Sequence, residues 1–149
     1  SALAAGAAYV FRYDGVDWYQ QAFIKASNTE QNDRFARDIA LSPEGDSLAV
    51  GAYLEDGSAT GINGDQSDNS AENGGAVYLF RFGDGEWLQQ AYVKAPNIDP
   101  MDHFGASLAL SAHGETLVVG APNEGSGASG IDGDQADNSA EESGAVYVY

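Results

Sequence analysis

A five-residue strand motif that occurs three times at a constant interval decides the fold. It reads GAAYV at residues 6–10, GAVYL at residues 75–79 and GAVYV at residues 144–148, each 69 positions after the one before. Placed over each other without a gap, residues 6–74 and 75–143 are identical at 34 of 69 positions. A repeat of this length predicts an array of equivalent units, each burying its apolar face against its neighbours.

The composition is strongly acidic. There are 23 Asp and Glu residues against 6 Lys and Arg residues, so the net charge is −17 at pH 7. Such a field repels nucleic acid and anionic lipid, and it favours solubility and cation binding. No run of residues approaches the ~18 apolar positions that a membrane-spanning helix requires. We therefore predict no nucleic-acid partner and no insertion into a membrane.

Two further features bear on the cellular location. The chain contains no cysteine, which excludes disulfides and thiolate metal sites. It also opens inside a repeat, because residues 1–2 align with residues 70–71, so any leader peptide would lie upstream. Together with the acidity, these features are compatible with a secreted or cell-surface protein of a bacterium, which is the location that we expect.

Each period of the repeat has the pattern of short strands separated by turns. The apolar runs are rich in β-branched and aromatic residues and are bounded by Gly, Asp, Asn and Ser. The predicted strands of one period are residues 76–82, 87–94, 104–110 and 116–120, and residues 9–13 and 18–25 repeat the first two. No segment has the 3.6-residue period of an amphipathic helix. Four strands in a repeat of this length predict a propeller blade.

Two short motifs carry a resemblance to a known family. Phe104-Gly105 is followed fifteen residues later by Gly120-Ala121-Pro122. This pair resembles the FG-GAP repeat of integrin α-subunit propellers and of many bacterial surface proteins, and the flanking segments are most similar to the bacterial branch. The similarity covers essentially the whole chain. The first copy departs from both motifs, with Ala36 in place of the first glycine and Tyr53 in place of the proline.

The resemblance implies an order of strands within each blade. The Phe-Gly strand would be innermost, the Gly-Ala-Pro strand second, the GAVY strand third and the Trp strand outermost. We expect an all-β chain of four-stranded antiparallel β-propeller blades, with two 69-residue repeats at residues 1–74 and 75–149, the latter ending in an extra strand. The chain would then hold a two-stranded hairpin, one full blade and three strands of another.

The expected number of blades has a consequence for assembly. A closed propeller needs roughly 4–8 blades, and exposed strand edges are a hazard for aggregation. We therefore predict a homo-oligomer that closes the ring, most simply a trimer with six blades or a tetramer with eight. The N-terminal hairpin of a neighbour would finish the broken blade. The alternative is that further repeats of a longer chain close the ring.

The long loop of each repeat is the strongest candidate for a binding site in the sequence. Ca²⁺ takes six to eight oxygen ligands, with glycine allowing the chain to wrap tightly around the ion. The predicted oxygen ligands are Asn63, Asp65, Asp68, Asn69 and Glu72 in the first copy, and Asp132, Asp134, Asp137, Asn138 and Glu141 in the second. The alternative is that these side chains form Asx turns that stiffen a surface loop. Integrin-type propellers hold calcium elsewhere, in loops that correspond to residues 42–46 and 111–115, and too few carboxylates remain there.

Symmetry between the copies separates two classes of function. Nearly every notable residue recurs in both copies, as a scaffold requires, whereas an active site is usually built once. We predict a non-catalytic scaffold or binding module for extracellular adhesion or for protein or glycan interaction. The recurring aromatics, such as Trp18 and Trp87, are interpreted as packing between blades rather than as sugar platforms. The alternative is a propeller-type hydrolase or lyase acting on glycans or esters through residues that occur once, such as His103 or Arg37.

Overall fold

The computed structural model describes residues 2–149 and confirms the all-β prediction. Within these described residues, nine strands follow one another: β1 (Ala8–Tyr13), β2 (Trp18–Ile24), β3 (Ile39–Leu41), β4 (Ser47–Ala52), β5 (Ala76–Gly83), β6 (Glu86–Val93), β7 (Ser107–Leu110), β8 (Leu117–Ala121) and β9 (Ala145–Val148). Residues 2–149 contain no helix long and apolar enough to cross a membrane.

The strands form three antiparallel sheets. The first is the β1–β2 hairpin, the second has the order β3-β4-β5-β6, and the third has the order β7-β8-β9. The second sheet is the full blade expected from the sequence, with the Trp strand β6 at its outer edge. The other two sheets are the two-stranded and three-stranded parts that the strand order implies.

The equivalent strands of the two copies share their irregularities. The β1–β2 pairing shifts register between Val10 and Phe11, and the β5–β6 pairing shifts between Leu79 and Phe80, 69 positions later. A bulge in the same place increases the twist of each hairpin in the same way. The repetition of sequence is therefore also a repetition of backbone geometry.

Small and β-branched residues allow the sheets to pack closely. All six residues of β4 are buried, because the strand lies between two neighbours in its own sheet and both of its faces are covered. One cluster of buried side chains, including Ile24, Phe35 and Tyr78, joins the hairpin to the second sheet. A second cluster, including Val77 and Phe104, joins the second sheet to the third. The core thus consists of layers between successive blades, as in a repeat array.

The prediction that residues 104–106 belong to a strand was wrong, since β7 begins at Ser107. Gly105 has a φ of +88°, a left-handed conformation that cannot continue an extended strand. Phe104 is instead an anchor ahead of the strand, because its N–H donates to Gly74 O at 2.8 Å and its ring packs on Tyr147 at 5.5 Å.

A close backbone contact between blades accounts for two of the motif glycines, Gly51 and Gly105. A Cβ on Gly51 would lie 2.1 Å from Gly105 O, so the Gly-Ala strand of one copy touches the Phe-Gly turn of the next. Gly105 itself faces Ala76 O, which would be 2.6 Å from its Cβ. Glycine is required where two backbones approach this closely. Gly51 and Gly105 are therefore points of contact between blades.

Candidate functional site

A buried polar cluster lies where the full blade meets the hairpin. Glu55 follows β4 and is almost fully buried, as is Lys94 just after β6. Glu55 Oε2 accepts from Lys94 Nζ at 2.7 Å and from Gly57 N at 3.0 Å. Its Oε1 accepts from Tyr92 Oη at 2.8 Å and from Asn28 Nδ2 at 2.9 Å. A buried charge is tolerated only with a partner and further hydrogen bonds, and Glu55 has both.

The cluster continues to a second tyrosine. Asn28 Oδ1 accepts from Tyr78 Oη at 2.5 Å, and the rings of Tyr78 and Tyr92 lie 5.4 Å apart. Burial, reinforced by the nearby charge of Glu55, raises the pKa of both phenols far above the ordinary value. Both hydroxyls therefore remain protonated donors, which fixes the direction of every hydrogen bond in the cluster.

Burial and the ion pair act in opposite directions on Lys94. Burial is the larger effect and lowers the pKa of Lys94, while the carboxylate of Glu55 raises it. The side chain is fully buried, and its ammonium meets Glu55 rather than solvent. A catalytic lysine needs a path to its substrate, and the buried ammonium of Lys94 has none. Its ion pair with Glu55 instead holds β6 to the segment after β4.

The second copy repeats half of this cluster. Glu124 is also almost fully buried, and its carboxylate accepts from Asn97 Nδ2 at 3.0 Å, Ser126 N at 3.1 Å and Ser126 Oγ at 2.9 Å. Tyr147 Oη donates to Asn97 Oδ1 at 2.7 Å, as Tyr78 does to Asn28. Within residues 2–149, no lysine or arginine pairs with Glu124.

Two further buried carboxyls recur at turns. Asp33 Oδ2 accepts from Glu30 N at 2.7 Å, and Asp102 Oδ2 accepts from Asp99 N at 2.9 Å. Burial raises the pKa of each carboxyl to about 6, although the backbone N–H opposes the effect. These groups close the turns that precede β3 and β7.

In the first long loop, the predicted calcium ligands bind neighbouring residues of the chain. Asp65 Oδ1 accepts from Ser67 N at 2.9 Å and Oγ at 2.7 Å. Asp68 accepts from Ser70 N at 3.0 Å, Ser70 Oγ at 3.2 Å and, closely, from Ser58 Oγ. These hydrogen bonds lower the pKa of both carboxyls.

In the second loop, Asp134 Oδ1 accepts from Ala136 N at 3.0 Å, and Asp137 accepts from Ser139 N and Oγ, each at 3.0 Å. Across residues 2–149, no three His, Asp or Glu side chains gather as a metal ion would need. The loops as folded fit Asx turns, and a calcium ion would require them to rearrange.

The predicted amide ligands are also used within the chain. Asn63 Oδ1 accepts from Tyr92 N at 3.0 Å and so ties the loop to β6. Asn69 Nδ2 donates to Glu30 Oε2 at 2.7 Å, and Asn138 Nδ2 donates to Asp99 Oδ2 at 2.8 Å. Glu72, Asp132 and Glu141 are exposed. The calcium prediction stays a prediction.

The residues considered for catalysis lie apart from the buried cluster. His103 is half-buried, its ring lies 5.3 Å from that of Tyr53, and burial lowers its pKa. Arg37 is exposed just before β3. Asp38, beside it, accepts from Leu108 N at 2.7 Å and so links the inner strands of neighbouring blades. His113 pairs with Glu44 at 2.9 Å on the surface.

The recurring aromatics pack between blades where a neighbouring blade is present. Tyr78 and Tyr92 are fully buried, and Trp87 packs against the same cluster while its Nε1 donates to Gln21 Oε1 at 3.1 Å. Their counterparts on the hairpin remain open, since the exposed fraction is 59% for Tyr9 and 70% for Trp18.

Sequence reasoning did not single out the central acid of the cluster. Glu55 and Glu124 are identical in the two copies, as are Asn28 and Asn97. Their identity in the two copies is the sequence signal that could have pointed to them. It does not stand out, because 34 positions are identical between the copies and 23 residues of the chain are acidic. Lys94 and Glu55 lie 39 positions apart, so their pairing needed the structure.

Comparison with known sequences agrees with this architecture. The family model described as "FG-GAP repeat" matches the chain twice, at residues 18–80 and at residues 87–149. The two matches are offset by 69 positions, as the strands are, and together they span most of the chain. No curated protein matches the chain. On its sequence and its blades, the chain belongs to the FG-GAP repeat family.

Proposed function

We propose that this chain is a non-catalytic β-propeller scaffold that presents a binding surface outside a bacterial cell. The observation that carries the proposal is that the recurring polar side chains hydrogen-bond to one another inside the protein. Asn28 links Glu55 to Tyr78 where the hairpin meets the full blade, and Asn97 links Glu124 to Tyr147 where the full blade meets the third sheet. Groups that are saturated by internal partners hold strands together and do not reach a substrate.

The binding surface that this architecture offers is the end of the blades that carries the long loops. Both loops connect the second strand to the third strand of a blade, so topology places them at the same end. Their exposed residues include six carboxylates and four amides and no basic side chain. A net charge of −17 disfavours nucleic acid and anionic membranes as ligands. An extracellular protein with a basic surface, or a glycan bound through its hydroxyls, suits this surface.

The experiment is a paired screen of the same preparation for binding and for turnover. Glycan arrays and bacterial and host surface proteins test binding, and chromogenic glycosides and esters test hydrolysis or lyase activity. We expect a ligand whose affinity falls with rising salt, with no turnover above buffer. Turnover that is abolished by His103→Ala or Arg37→Ala, but not by Arg81→Ala on the exposed face of β5, would establish the enzyme alternative.

A further inference from the structure

The side-chain amide of Asn28 and the ammonium of Lys94 meet at the same carboxylate. Asn28 Nδ2 donates to Glu55 Oε1 at 2.9 Å, and Lys94 Nζ donates to Glu55 Oε2 at 2.7 Å. A single carboxyl group therefore separates a primary amine from a carboxamide. Asn28 follows β2 of the first sheet, whereas Lys94 follows β6 of the second, so this carboxyl group lies between two sheets.

The amide of Asn28 is held by hydrogen bonds at both its nitrogen and its oxygen. Besides its bond to Glu55, Nδ2 donates to Gln66 O at 3.1 Å, and Oδ1 accepts from Tyr78 Oη at 2.5 Å. Burial raises the pKa of Tyr78 and keeps this hydroxyl protonated. A hydroxyl that donates to a carbonyl oxygen stabilises the negative charge that develops there when a nucleophile adds to the carbon.

Lys94 has the surroundings that make a lysine nucleophilic. Its side chain is fully buried, and burial is the largest of the effects that together lower its pKa, which favours the neutral amine. Glu55 is in place to accept the proton that the ammonium must lose. Because the side chain is closed off from solvent, any substrate of Lys94 must belong to the protein itself. The amide that shares Glu55 with Lys94 is that of Asn28.

We propose that Lys94 Nζ and Asn28 Cγ form an intramolecular isopeptide bond, with Glu55 as the proton carrier. Nζ gives a proton to the Glu55 carboxylate, approaches Cγ to about 3–3.5 Å and attacks it as a neutral amine. Tyr78 Oη stabilises the negative charge on Oδ1 of the tetrahedral intermediate. Glu55 passes its proton to Nδ2, the Cγ–Nδ2 bond breaks, ammonia leaves, and Glu55 takes a second proton from Nζ.

The step balances without an oxidant, a reductant or a further reactant. An ammonium, a carboxylate and a carboxamide become a secondary amide, a neutral carboxyl group and one molecule of ammonia. The buried charges of Lys94 and Glu55 disappear together, which removes the cost of holding them away from water. Asn28 is only half-buried, so the leaving ammonia lies close to solvent.

The bond joins the segment after β2 to the segment after β6 and links two sheets of the array covalently. Like a disulfide, a cross-link between residues far apart in sequence stabilises a fold mainly by constraining the unfolded chain. The inference goes beyond the proposed function and does not depend on it. The reaction takes place once in each molecule and leaves the exposed loops free to bind a ligand.

The test is mass spectrometry of the denatured chain after prolonged incubation of the folded protein. We expect a mass below that of the sequence by one ammonia molecule, and a branched tryptic peptide in which residues 26–34 are attached through Asn28 to a chain left uncut after Lys94. A succinimide at either Asn-Gly sequence, residues 63–64 or 73–74, loses the same mass but gives only linear peptides. Linear peptides alone, or the full mass of the sequence, would overturn the proposal.

Variants separate the reaction from the ion pair. Lys94→Arg keeps a cation beside Glu55 but offers no amine, and Glu55→Gln keeps the size of the side chain but cannot carry the proton, so both should retain the full mass. Lys25→Arg is the matched control, since Lys25 has the same place in the other copy and donates to the carbonyl oxygen of Gly6. It should lose ammonia as the wild type does. The branched peptide persisting in Lys94→Arg, or missing from Lys25→Arg, would overturn the assignment, and the wild-type peptides decide the question even if a variant fails to fold.

Discussion

At the scale of single residues, the Lys94–Glu55 pair is the most consequential contact in the described chain. Lys94→Ala leaves the carboxylate of Glu55 buried without its cation, which costs about 3–5 kcal/mol of unfolding free energy. The control is Arg81→Ala, which removes an exposed ion pair with Asp46 at 3.3 Å in the same sheet and should cost less than about 1 kcal/mol. Urea unfolding followed by tryptophan fluorescence gives both values. Equal losses in the two variants would contradict the account.

The buried carboxyls of Asp33 and Asp102 predict a dependence of stability on pH. Their pKa is raised to about 6 in the folded chain from an ordinary value of 3.8, so the folded state holds these protons more tightly than the unfolded state. Their contribution to stability is complete below about pH 4 and is lost as the pH rises through about 6.

The measurement is the melting temperature between pH 4 and pH 7 for the wild type and for Asp33→Asn with Asp102→Asn. Asparagine keeps the acceptor for the backbone N–H and does not titrate in this range, so the decline between pH 4 and pH 6 should become shallower. Asp46, Asp65 and Asp68, whose pKa is lowered, act in the opposite sense and lose their contribution only below about pH 4. Identical profiles for wild type and variant would argue against buried, protonated carboxyls.

At the scale of elements, the two long loops offer a matched comparison. Asp68 accepts from both Ser70 and Ser58, whereas Asp137 accepts from Ser139 alone, because glycine occupies position 127, the counterpart of Ser58. We expect Asp68→Ala to lower the free energy of unfolding more than Asp137→Ala does, since Asp68 accepts one hydrogen bond more from a serine hydroxyl. Denaturant unfolding of the two variants tests it. A larger loss for Asp137→Ala would show that the cross-loop bond does not stiffen the first loop.

The same loops carry the calcium prediction. Calcium binding requires Asp65, Asp68 and their counterparts Asp134 and Asp137 to leave their present hydrogen-bond donors and converge on the ion. An ion that binds the folded state raises stability by about 2.7 kcal/mol at one hundred times its dissociation constant. The melting temperature should then rise with calcium concentration in the wild type, and the rise should disappear in Asp65→Ala with Asp134→Ala. Superimposable melting curves in calcium and in chelator would contradict the calcium prediction.

Most strand positions could be predicted from the sequence, because alternating β-branched and aromatic runs between glycine and aspartate have few other structures. The predicted bounds of β5 and β6 lie within one residue of those observed. The Phe104-Gly105 turn could not be placed, since its left-handed backbone follows from contact with another blade rather than from a local pattern. Glu55 could not be predicted as a central residue either, because its partners Asn28 and Lys94 lie far from it in sequence and acidic residues are common throughout the chain.

At the scale of the whole molecule, the central claim is that one sequence unit builds the same strand arrangement twice, as β3-β4-β5 and as β7-β8-β9. Hydrogen exchange of the backbone amides, measured by NMR, tests this claim most directly. We expect the slowly exchanging amides of β4, and those of β5 that bond to β4, to have counterparts 69 positions later in β8 and β9, with fast exchange through most of residues 56–74 and 125–143. Slow exchange running continuously through residues 125–143, or protection in β8 that does not follow that in β4, would contradict it.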